Sequence, residues 1–133
     1  MPRIAVRAVV VVAMGLWAGQ AFAHHSFSAE FDATKPFKMT GVVTRLEWAN
    51  PHTYFYLDVT DERTGKVTNW SMEMGNPNAL LRAGWSRNTM KAGDKISVEG
   101  SLAKDGSPAG NARVVVMAET GKRLFAGSSQ PTP

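Results

Sequence analysis

The sequence contains no cysteine. That excludes disulfide bonds, a lipid-attachment thiol and a thiol nucleophile, so stability must come from the core alone. Histidine is nearly as scarce, with only His24, His25 and His52. Lys and Arg are scattered and form no basic run, which is not the footprint of a nucleic-acid binder. There is no Gly-x-Ser-x-Gly elbow and no glycine loop of the phosphate-cradling kind. The carboxylates Glu30, Asp32, Glu47, Asp58 and Glu73 are tied together by no motif. These absences argue against an enzyme and in favour of a binding module.

What is present begins with an export signal. Arg3 and Arg7 form a positive n-region, and Ala8 to Ala18 is an almost unbroken apolar run. Ala21-Phe22-Ala23 is a small-x-small cleavage site. The run is too short to span a bilayer comfortably, and no other stretch approaches spanning length. The sequence therefore predicts a cleavable secretory signal over 1–23 and no transmembrane segment after cleavage. A mature chain of 110 of the 133 residues is the size of one domain. Of the 15 Lys and Arg, Arg3 and Arg7 leave with the signal, so 13 basic groups face 11 acidic ones.

Residues 24–37 show no clean period and read as an N-terminal arm that Pro36 ends. A domain over 38–126 follows, and 127–133 has the composition of a disordered tail. Lys38 to Trp48 reads as a strand with Val42, Leu46 and Trp48 on its inner face. Asn50-Pro51-His52 breaks it. Thr53 to Thr60 and Val67 to Met74 alternate as strands about a polar turn at 61–65. Asn76 as cap, Pro77 as first helical residue and Gly84 as stop mark a short helix. Lys95 to Leu102 and Ala112 to Glu119 are further strands, separated by a mobile Gly- and Pro-rich loop at 105–111. Lys122 to Phe125 follows a Thr120-Gly121 turn.

Five strands with one helix between the third and fourth is the order of an OB-like Greek-key barrel. A closed barrel buries every apolar strand face, and Leu80 and Leu81 of the helix would plug one end. The fold class expected is all-β with one short helix, a small β-sandwich being the alternative that fits the same pattern.

Four motifs carry a resemblance. They are His24-His25-Ser26-Phe27, the run from Glu47 to His52, the run from Asn76 to Trp85, and the run from Lys122 to Gly127. Together they resemble the small exported bacterial proteins of the domain-of-unknown-function family number 6152. The resemblance implies a periplasmic location and brings no activity, ligand or catalytic residue with it.

Chemistry enters through processing. Cleavage after Ala23 makes His24 the new terminus, placing a free α-amine beside an imidazole. That pair chelates, and His25 or His52 supplies a third nitrogen. Tetragonal nitrogen donors favour Cu(II) over other divalent ions. The amine titrates near pH 8, so binding strengthens as pH rises through neutrality. A polar, flexible terminus is the plain structural reading of the same residues, and His52 serves equally as a loop-holding donor.

Asn50, Tyr54 and Tyr56 form the second candidate site. The tyrosines lie on the outer face of the second strand, where OB-folds stack bases or sugars. Export favours a glycan, a peptide or an envelope protein over nucleic acid. Alternatively, Phe27 and Phe31 cover these rings as a minor core. Met39, Met72, Met74, Met90 and Met117 raise the question of Cu(I), which thioethers bind. Met72 and Met74 read as packing, with Met90 the least constrained.

Overall fold

A computed structural model of the chain describes residues 27–127. The signal, His24, His25 and the tail from residue 128 lie outside the described residues. The elements are β1 (Phe31–Glu47), β2 (Tyr54–Thr60), β3 (Val67–Glu73), α1 (Pro77–Arg82), β4 (Lys95–Ala103), β5 (Ala109–Met117) and β6 (Arg123–Phe125). Strands neighbour one another in the order β3-β2-β1-β4-β5-β6. A parallel pairing of Ser71–Glu73 with Ala109–Asn111 joins β3 to β5 and closes a ring. All other pairings are antiparallel. The molecule is thus mostly antiparallel all-β, with the expected helix between the third and fourth strands and β6 as a short addition.

β1 is long because it serves two partners. Phe31 to Val42 pairs with β4, and Val42 to Glu47 pairs with β2. The strand therefore begins at Phe31, and Pro36 does not end the preceding segment. Pro36 sits at a register irregularity instead, where a residue without an N–H is tolerated in a sheet. A second irregularity between Val43 and Arg45 inserts Thr44 as an extra residue. It reverses the alternation. Val43 is buried and Val42 is 43% exposed, the opposite of what a period of two carried back from Leu46 and Trp48 predicts.

The ring is filled by Val43, Phe55, Leu57, Met72, Met74, Ile96, Val98 and Val115. Each large apolar side chain removed from water contributes about 1.5–3 kcal/mol. α1 closes one end. Asn76 Oδ1 accepts from the Ala79 N–H at 2.8 Å, so the capping signal in the sequence is used as expected. At the other end Trp85 N–H donates to Leu80 O and Gly84 N–H to Leu81 O, with Gly84 at φ +94°. That left-handed stop suits glycine. The stop turns Trp85 into the core, where its indole Nε1 donates to Phe125 O at 2.9 Å.

Three expectations are revised. Only Leu80 plugs the ring, because Leu81 is 53% exposed on the outer side of the helix. Met90 is only 2% exposed, a core residue rather than a loose thioether; Met72 and Met74 pack in the core as read. The loop at 105–111 is shorter than its composition suggests. β5 starts at Ala109, because Gly110 is needed beneath a ring: a Cβ there would lie 2.6 Å from Phe37 Cε1.

Candidate functional site: the histidine and tyrosine face

After the bulge, the outer face of β1, β2 and β3 presents rows of side chains running across three strands. Glu47, Tyr54 and Glu73 are register partners in one row. Arg45, Tyr56 and Ser71 form the next. The turn of Asp61 to Lys66 fixes this register. Asp61 Oδ1 accepts from the Arg63 and Thr64 N–H groups, and Asp61 N–H donates to Lys66 O. Carboxylates that are far apart in the sequence thereby flank the tyrosines.

Hydrogen bonds lock the rows. The Tyr54 hydroxyl donates to Glu73 Oε2 at 3.2 Å, and the Tyr56 hydroxyl to Glu47 Oε2 at 3.4 Å. Arg45 holds Glu47 at 2.6 Å and lies 4.2 Å from the centroid of the Tyr56 ring. Phe27 and Phe31 pair with each other, their centroids 5.7 Å apart.

His52 stands at the head of this face, on the turn whose Asn50–Pro51 peptide bond is cis. Its Nδ1 is 3.3 Å from Met74 O and 3.5 Å from Glu73 Oε1. Both neighbours are acceptors when Glu73 is ionised, so Nδ1 carries the proton and Nε2 of the neutral ring keeps a lone pair. The side chain is one-third exposed, and water or a ligand reaches it. Asn50 is exposed on the same turn.

Glu73 is the residue that sequence reasoning left among scattered carboxylates. It is 8% exposed although it lies on the outer face. Burial raises its pKa above the ordinary value, with a contribution from the Glu30 carboxylate; His52 and the Tyr54 hydroxyl pull the other way. Tyr54 is pushed up to about 12, first by burial and then by the charge of Glu73. It is a neutral donor at physiological pH. The Glu30 carboxylate, just before β1, adds to the upward shift of both groups. Among the described residues no three His, Asp or Glu side chains converge as a metal cage. The described chain thus offers one oriented imidazole, backed by a carboxylate and a phenol.

Comparison with known families gives one result. The model described as "Family of unknown function (DUF6152)" matches residues 11–112. The chain belongs to this family. No curated protein and no solved structure matches it. The DUF6152 span takes in all three histidines and both tyrosines, together with Glu73. Its description assigns no activity. The register signal was present in the sequence. Pairing Thr60 with Val67 across the polar turn places Tyr54 opposite Glu73.

Proposed function

We propose that this DUF6152 protein is an exported, periplasmic binding protein for Cu(II). The terminus created by cleavage before His24 chelates the ion through its amine and imidazole, His25 lying next to them in the chain. His52 supplies the further imidazole from the folded domain. The observation that carries the reading is the orientation of His52. An imidazole whose Nδ1–H is held by a carbonyl and a carboxylate presents Nε2 as a ligand, the arrangement that surrounds metal-bound histidines generally.

Chain length supports the pairing. Glu30 is felt by Tyr54 and Glu73. Residues 27–30 form a helical turn, and three further residues lead back to His24, a reach of about 10 Å where extended. Glu73 and Tyr54 would act behind His52 rather than on the ion, since Tyr54 holds its proton to about pH 12. The test compares the chain beginning at His24 with a twin carrying one extra Met, titrated with Cu(II) against a competing chelator. The His24 form binds at least tenfold more tightly, and affinity rises with pH through neutrality and levels off above about 8. Equal, weak binding by both would sink the reading.

A second reading rests on the half-exposed Tyr54 and Tyr56 between carboxylates, a face suited to a glycan, a peptide or an envelope protein. Arg45 over Tyr56 takes up one ring face, which leaves less stacking surface than two free tyrosines would. Tyr54→Ala with Tyr56→Ala, folded and screened against glycans and envelope extracts, must lose a ligand for this reading to stand.

A further inference from the structure

The opposite flank of the ring carries charge of the other sign. On the outer face of β4, Lys95, Ser97 and Glu99 alternate with the buried Ile96 and Val98. Lys38 of β1 stands opposite Glu99, and Arg113 of β5 and Arg123 of β6 reach the same carboxylate. Three cations therefore surround one anion, while Lys95, further along β4, stands with Asp94 and Glu119. The sequence hides this patch, because Lys38, Arg113 and Arg123 are spread over 86 positions and only the sheet gathers them.

The three groups around Glu99 are not committed to it. Their nitrogens stand 3.7, 3.8 and 3.8 Å from its oxygens, beyond hydrogen-bond length. The Lys38, Arg113 and Arg123 side chains are 72%, 40% and 62% exposed. Exposed pairs of this kind contribute little to stability. One carboxylate offsets one cation and leaves the rest to project their field outward. Val116 and Phe125 lie between them, partly exposed, as apolar floor.

From this we infer that the β4–β5–β6 face docks the protein onto an anionic phospholipid surface. A sheet face is extended enough to meet many headgroups at once. Loosely held Lys and Arg suit a diffuse negative surface better than a single small anion, for which converging, buried donors would be needed. Attraction of this type amounts to roughly fivefold in partitioning per basic residue near the surface and fades within a Debye length. Copper capture is not required for it.

The test uses the exported chain with whatever terminus it carries. It is sedimented with vesicles of phosphatidylcholine containing 30% phosphatidylglycerol, by mole, and with vesicles of phosphatidylcholine alone. Binding to the anionic vesicles only, abolished at about 0.5 M salt, is expected. The triple variant Lys38→Gln, Arg113→Gln, Arg123→Gln should lose roughly 100-fold or more in partitioning. The charge-retaining Lys38→Arg, Arg113→Lys, Arg123→Lys should keep it, which separates charge loss from misfolding. Three outcomes overturn the proposal: no sedimentation of the unmodified chain, equal sedimentation of the Gln variant, or tighter binding to dextran sulfate than to vesicles at matched charge. The last would assign the face to a soluble polyanion.

Discussion

The tyrosine face and the lysine–arginine face share the long strand β1, yet they hold their charges differently. On the first, groups are tied by hydrogen bonds or close ion pairs: Arg45 to Glu47 at 2.6 Å, Asn69 to Asp58 at 2.8 Å, Tyr54 to Glu73 at 3.2 Å, Tyr56 to Glu47 at 3.4 Å. Glu73 is buried outright. On the second, every contact to Glu99 is 3.7 Å or longer and the cations are largely in water. Groups locked before a ligand arrives suit an ion that demands fixed geometry. Groups left exposed and loosely paired suit a partner that is itself a field of charge. The first arrangement suits a site and the second a surface.

The sharpest break attacks the frame they have in common. Gly100 lies at the irregularity where β4 crosses β5, and a Cβ there would stand 1.8 Å from Asn111 O. Gly100→Ala should cost roughly 3 kcal/mol or more in urea unfolding and abolish both binding properties together. His52→Ala comes next and separates the faces. Cu(II) affinity falls at least tenfold, about 1.4 kcal/mol, while partitioning onto vesicles is unchanged within twofold.

A smaller gain is expected behind the histidine. Thr53 Oγ1 is fully buried and has no hydrogen-bond partner among the described residues. Thr53→Val should stabilise the domain by about 1 kcal/mol, read as a raised denaturation midpoint.

The smallest effect is a slope. The folded pKa of Glu73 lies above its ordinary value, so folding favours its protonated form. That stability is complete below the ordinary value of 4.5 and is lost as pH rises through the raised folded value. Glu73→Gln removes the titration, so its melting temperature should depend less on pH above 4.5 than that of the unmodified chain.

Local patterning made most of the fold legible. Alternation marked the strands after β1, and Asn76, Pro77 and Gly84 marked α1 with its cap and stop. What the pattern missed were the places where tertiary pairing overrides it. Phe31 to Phe37 has no clean period, because its strand character comes from β4. The bulge at Thr44 adds a residue that a period of two cannot register. Glu73 read as an ordinary outward carboxylate, since its burial depends on His52 and Tyr54 meeting over it. His52 and the tyrosines were visible as candidates, whereas the Glu99 patch needed four strands to be assembled first.

The copper reading turns on whether the His52 imidazole joins the ion held by the processed terminus. Pulsed electron paramagnetic resonance of the Cu(II)-loaded chain counts coordinated imidazoles by the modulation from their remote nitrogens. His52→Ala is expected to lose one imidazole from that count at equal copper loading. Identical spectra from the two proteins would show that the folded domain gives the metal no ligand there.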